Sequence, residues 1–184
     1  DQTRSNVFRV VLDKVQGHYQ GCAINFIDHL QSGVVRARFA KDGSLWVGQT
    51  GRGWRSRGPT TYGLERIVWD GLTVPFAIHS VRLTKSGFDV QFTRPFDAKR
   101  AASSDAYRID RWRYKHHPDY GSPKFDQAQV EIDSIKLSAD GMTAHLTMPL
   151  QGQRMYQLTF DLKAANADVL SSRVAWYTLN RLHN

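Results

Sequence analysis

Apolar residues recur at every second position along several short stretches of this chain, and that period constrains its fold more than any other feature. Phe88, Val90 and Phe92 alternate with Asp89, Gln91 and Thr93, and Tyr156, Leu158, Phe160 and Leu162 repeat the pattern. Such spacing places one apolar row on one face of a β-strand, because successive strand side chains point to opposite sides. The breaks between these stretches are rich in Gly, Asp, Asn and Ser, the residues of tight turns. Val34–Phe39, with Arg36 and Arg38 outward and Val35, Ala37 and Phe39 inward, turns at Lys41-Asp42-Gly43-Ser44 into Leu45–Val47 and predicts a hairpin. His79–Leu83 and Phe88–Phe92 predict a second, joined through Thr84-Lys85-Ser86-Gly87. Val130–Leu137 and Thr143–Met148 predict a third around Ala139-Asp140-Gly141, with Ile132 and Ile135 out of phase and therefore a bulge. Strands are also expected at 7–11, 23–26, 65–69, 107–114 and 174–179. One short helix is expected within 97–104, after Pro95.

The expected fold class is therefore all-β. A boundary is placed near Trp69–Pro75, where Asp-Gly-Leu-Thr-Val-Pro combines turn chemistry with a residue that blocks sheet pairing. Residues 73–184 then hold about seven short strands, the size of an immunoglobulin-like β-sandwich. Residues 1–72 hold too few strands to close a barrel, so their sheet edges need cover from other protein. The 41% apolar and 11% aromatic content suffices for a packed core. No apolar run approaches the ~20 residues of a membrane span.

The formal charge of +8 is spread evenly, since residues 1–75 carry 10 basic and 6 acidic side chains and residues 76–184 carry 15 and 11. Interspersed charge of this kind describes a solvated surface, and without a recognition-helix or RNP pattern it argues against nucleic acid. Cys22 is the single cysteine, which excludes an internal disulfide framework and a Cys-x-x-Cys site. The chain opens Asp-Gln-Thr-Arg with no signal-peptide core, as expected of a processed product or of part of a longer polypeptide.

The chemistry-bearing stretch is 51–58, where three glycines are interleaved with Arg52, Arg55 and Arg57 around Trp54. Guanidinium forks and glycine-exposed backbone N–H groups both donate to oxyanions, and the indole offers a surface for a sugar or base. The alternative is a structural loop whose arginines pair with carboxylates. Gln49, Arg52, Trp54, Arg55, Arg57 and Trp112 are the candidates for binding a ligand or partner. Arg108, Arg111, Trp112, Arg113, Tyr114 and Lys115 read as a strand with aromatics packed inward and cations in water; a glycan-binding face is the sharper alternative. His116, His117 and Asp119 are weak metal candidates, because adjacent strand histidines point apart unless Pro118 turns the chain, with His79 or His145 as further donors. His18 near Cys22 could form a nucleophilic pair, although Cys22 reads more simply as a buried small hydrophobe. No catalytic set is complete.

Gly17–Gly21, the stretch 32–54, 62–69 and the closing Tyr-Thr-Leu-Asn-Arg at 177–181 together resemble the C-terminal part of secreted bacterial glucose/sorbosone-dehydrogenase-like β-propeller proteins, which often carry haem domains. Residues 92–98 and 138–147 are similar to immunoglobulin-like modules appended to such propellers. The resemblance implies a partial propeller-blade module followed by a sandwich, in a periplasmic or extracellular protein. It also implies a quinone or haem acceptor in the intact parent, with no cofactor in this chain. The expected function is a noncatalytic or incomplete C-terminal part of such an exported dehydrogenase-like protein, acting by binding or assembly with further blades or another protein chain. The alternatives are an accessory scaffold subunit of an exported complex and a carbohydrate-binding module using Trp54 or Trp112.

Overall fold

The computed structural model describes every residue of the chain except Arg52 and Trp54. Nearly half the chain is strand and only 4% is helix, so the fold is all-β. The strands, in chain order, are β1 (Val7–Val15), β2 (His18–Ile27), β3 (Val34–Phe39), β4 (Leu45–Thr50), β5 (Tyr62–Ile67), β6 (Ile78–Leu83) and β7 (Gly87–Phe92), followed by β8 (Tyr107–Arg113), β9 (Phe125–Val130), β10 (Ser134–Leu137), β11 (Thr143–Thr147), β12 (Arg154–Phe160) and β13 (Val174–Leu179). They form three open antiparallel sheets, ordered β1-β2-β13-β12-β8-β9, β10-β11-β7-β6 and β3-β4-β5. One helical turn, α1 (Ala98–Ala101), is started by Asp97, whose carboxylate accepts from the N–H of Lys99 and Arg100.

The chain resolves into two compact units. One holds residues 1–9 and 25–73, the other 10–24 and 74–184. Residues 10–24, the tip of the β1–β2 hairpin, thus group with the later residues, where the sequence reading places all of 1–72 together. The reason is pairing: β2 lies against β13, with Cys22 opposite Tyr177 and Ile24 opposite Ala175. A free strand edge next to β13 is thereby filled.

The larger unit is a two-sheet sandwich. Phe88, Val90 and Phe92 from one sheet and Tyr156, Leu158 and Phe160 from the other are all essentially buried in one continuous core. Aromatic rings bridge the layers, with Phe88 against Tyr177 at 5.0 Å and Tyr156 at 5.5 Å, and Phe92 edge-on to Phe160 at 5.8 Å. The period-two rows read from sequence are these inner faces. Residues 130–137 behave differently from expectation, because the chain leaves the larger sheet after Val130 and joins the smaller one at Ser134. The phase break at Ile132 and Ile135 is therefore a change of sheet rather than a bulge within one hairpin.

Two polar devices fasten this unit. The Tyr156 hydroxyl accepts from the backbone N–H of Gln151 at 2.7 Å and donates to its carbonyl at 3.3 Å, tying the start of β12 to the turn before it. Asp13, at the hairpin tip, accepts from the Tyr177 hydroxyl at 2.7 Å, the Leu83 N–H at 2.9 Å and Arg82 at 2.6 Å. Burial, and then this bond to Asp13, push the Tyr177 phenol well above its ordinary value.

The smaller unit has a thin core. Leu30, Leu45 and Val47 are buried, with Val7, Ile27, Val34 and Ile67 packed around them. Its β3–β4 hairpin turns at Asp42-Gly43-Ser44, where Asp42 accepts from both the N–H and the hydroxyl of Ser44. Phe39 corrects the inward reading of β3: it is 73% exposed.

Candidate functional site

In the smaller unit the glycine- and arginine-rich segment joins β4 to β5. The N–H of Gly51 donates to the Thr61 carbonyl at 2.7 Å and closes the base of the loop. Arg57 N–H to the Thr3 carbonyl at 2.9 Å and Gly58 N–H to the Ser5 hydroxyl at 3.0 Å staple the far side to the N-terminal arm. A Cβ on Gly58 would lie 2.4 Å from the Gln31 carbonyl oxygen, so the close approach requires glycine. These backbone donors are spent inside the fold and are not offered to an oxyanion. The side chains of Arg55 and Arg57 are exposed and make no ion pair among the described residues. Arg55, Ser56, Thr60 and Thr61 line a cleft of about 280 Å³ inside the loop. Arg52 and Trp54, two of the sequence candidates, lie outside the described residues.

Gln49 is placed as a structural residue. It is buried on the inner face of β4, accepts from the Ser32 N–H at 2.7 Å and donates to Glu65, which also accepts from the Gln31 N–H at 2.9 Å. The opposite face of the same sheet is uncovered. Register sets Arg38, Trp46 and Arg66 in one row, Arg36, Gly48 and Leu64 in the next, and Thr50 and Tyr62 in a third. Tyr62 and Leu64 are 75% and 65% exposed, and Trp46 is partly exposed beneath the Arg66 guanidinium at 5.7 Å. Arg66 also pairs with Asp42 at 2.6 Å. The Ser44 hydroxyl and N–H, followed by Arg66, lower the Asp42 carboxyl to about 2.

Trp112 in the larger unit is 2% exposed, although it pairs with Met155 on the side of β12 that faces away from the core. Lys124 Nζ lies 3.7 Å from its ring centroid and Tyr114 packs edge-on at 6.2 Å. The indole is therefore covered, and Tyr114, expected inward, is the exposed ring. A register shift between Arg111 and Arg113 breaks the alternation that the sequence reading assumed. Beside this bulge a groove of about 520 Å³ opens over β12 and β13, walled by Arg113, Arg154 and Arg181 with Tyr114, Thr178 and Asn180. His18 borders it. Arg113 pairs with Asp126, and Arg154 stands 3.9 Å from the same carboxylate. Arg113 first, then Arg154 and Lys115, hold the Asp126 carboxyl below its usual range.

The other candidates are not brought together. His117 stands 3.7 Å from Asp119, while His145 pairs with Asp89 at 2.8 Å on other strands. Among the described residues no group of three His, Cys, Asp or Glu side chains could hold a metal ion. Cys22 is buried in the sandwich core, whereas His18 is exposed with Nδ1 2.9 Å from the Gln16 carbonyl oxygen. The sequence singles out His18, Arg113 and Tyr114 but not their grouping with Arg154 and Arg181, because the groove residues come from β2, β8, β12, β13 and the chain end, and no local motif links them.

No protein-family model matches the chain, and no curated protein matches it. Solved structures similar to it include the surface layer protein SbsC, domains 1–6, at 20% identity over 60% of this chain and 14% of that one, with a TM-score of 0.44. The N-terminal part of the bacterial S-layer protein SbsC matches at 20% identity over 58% of this chain and 24% of that one, with a TM-score of 0.41. This chain thus spans a small fraction of those proteins. The likeness to glucose/sorbosone-dehydrogenase-like propellers is corrected by these neighbours, none of which is a dehydrogenase. Architecture agrees: the 34–67 stretch that carried the resemblance forms an open three-stranded sheet, whereas a propeller blade has four strands. A Gly- and Asp-turned hairpin with aromatic strands is common to many antiparallel folds and does not specify a propeller. The dehydrogenase function falls with the resemblance. No described helix is long and apolar enough to cross a membrane.

Proposed function

We propose that this chain acts by binding, and that the smaller unit docks on another protein through the outer face of its β3–β4–β5 sheet. The observation that carries this reading is the uncovered patch of Trp46, Leu64 and Tyr62, one from each of three successive rows, set among Arg36, Arg38 and Arg66. Exposed apolar groups rimmed by cations make the anatomy of an interface core and rim, in which aromatic and arginine side chains contribute most. The partner that fits presents an acidic rim around an apolar centre, since a second copy of this cationic face would repel the first. Arg55 and Arg57 extend the positive field at the end of the sheet.

The larger unit is read as immunoglobulin-like. Its smaller sheet, β6-β7-β11-β10, runs first, second, sixth and fifth strands of the unit's later segment. This is the A-B-E-D order of one immunoglobulin sheet once β9, paired beside β8 in the other sheet, is taken as the added C′ strand. The Tyr156 hydroxyl bonded back to Gln151 matches the tyrosine corner of that fold. A surface or extracellular setting, that of the S-layer neighbours, accords with such a module.

The test places a photo-crosslinking residue at Leu64 in the producing cell. The reading expects one discrete adduct whose partner peptide maps to an acidic surface, lost on Trp46→Ser and on Arg38→Glu. An absent adduct, or one indifferent to both substitutions, overturns it.

A further inference from the structure

We infer that the groove over β12 and β13 of the larger unit binds a carboxylate-bearing sugar chain. Three observations converge on that ligand, and none involves the smaller unit.

The first is charge. Arg113 and Arg154 share the single carboxylate of Asp126, and the Arg181 side chain makes no ion pair or hydrogen bond among the described residues. The walls contain no carboxylate to offset Arg181, so the groove holds net positive charge. The depressed Asp126 carboxyl agrees with such a field. Guanidinium forks match carboxylates bidentately and hold them more selectively than point charges do.

The second is the remaining chemistry. Thr178 and Asn180, with Gln153, supply hydroxyl and amide groups that both donate and accept, as the hydroxyls of a sugar ring require. The half-exposed Tyr114 ring supplies a flat apolar surface for its C–H face. A groove of about 520 Å³ lies within the range typical of ligand sites, roughly 300–1,000 Å³.

The third excludes an extended peptide as the better occupant. The strands that floor the groove have both edges already paired, β12 with β8 and β13, and β13 with β12 and β2. No backbone ladder is available there for strand addition, so recognition falls to side chains.

The test is calorimetric titration of the full chain with an oligogalacturonate, with its methyl ester as the neutral analogue and inorganic sulfate as a competitor. Binding of the acid but not of the ester, weakened at least about tenfold by Arg181→Ala, is the expected result, a charged hydrogen bond being worth about that much. Arg181 is exposed, so unchanged thermal unfolding of that variant keeps the loss a binding loss. Arg154→Lys keeps the charge without the fork and should also weaken binding. No binding, equal binding of the ester, indifference to Arg181→Ala, displacement by sulfate at equal concentration, or equal affinity for an acidic peptide would each overturn the inference.

Discussion

Asp42 shows how a single residue sets a turn. Its carboxylate accepts from two Ser44 donors and from Arg66, which favours the charged form. The folded value of about 2 lies below the ordinary 3.8, so the contribution of this carboxylate is complete above pH 4 and is lost as pH falls toward 2. Carboxyl-carbon NMR titration should find Asp42 near 2, and Ser44→Ala should return it toward 3.8. Tyr156 has a comparable local role in the larger unit. Tyr156→Phe removes both bonds to Gln151 and should cost about 1–2 kcal/mol of stability, read in urea unfolding of the full chain. At this scale the sequence was only partly legible: the Asp-Gly-Ser turn was readable, but the partner of Tyr156 was not, because the corner depends on how the preceding turn folds back.

Strands and turns were legible where burial is one-sided. The β6–β7 and β3–β4 hairpins lie where the alternation and turn residues predicted them. The β1–β2 hairpin was seen only as two fragments, since exposed Val10, Leu12 and Phe26 break its pattern. The strand β9 was missed because Asp126, Gln127 and Gln129 give it one apolar row of small or partly exposed residues. Gly87, at the start of β7, illustrates a constraint of the element rather than of the turn. A Cβ there would lie 1.8 Å from the Leu146 carbonyl oxygen, so Gly87→Ala must push β7 and β11 apart. The expected loss is about 1–3 kcal/mol, and restoration by no single neighbouring truncation, since the obstacle is backbone.

The two units differ most in the size of their cores. The sandwich buries bridged aromatic layers, whereas the smaller unit buries Leu30, Leu45 and Val47 with a few partly covered neighbours. Apolar burial scales with stability, so hydrogen exchange should be slowest at Phe88, Leu158 and Tyr177 and faster by at least about a hundredfold at Leu45 and Val47. Equal protection in the two would show that the smaller unit draws stability from a source other than its own core. The candidate sites follow the same division: an uncovered sheet face on the thin unit and a cationic groove on the well-packed one.

The sequence by itself determined the all-β class, the principal hairpins and the inner faces of the sandwich, because period-two burial is a local consequence of strand geometry. Only the tertiary structure decided that β2 lies beside β13, that residues 130–134 change sheets, that Gln49 and Trp112 are covered, and that Arg113, Arg154 and Arg181 share one groove. Those outcomes depend on which strands become neighbours, and strand pairing joins residues far apart in the chain by backbone hydrogen bonds that carry little imprint of side-chain identity.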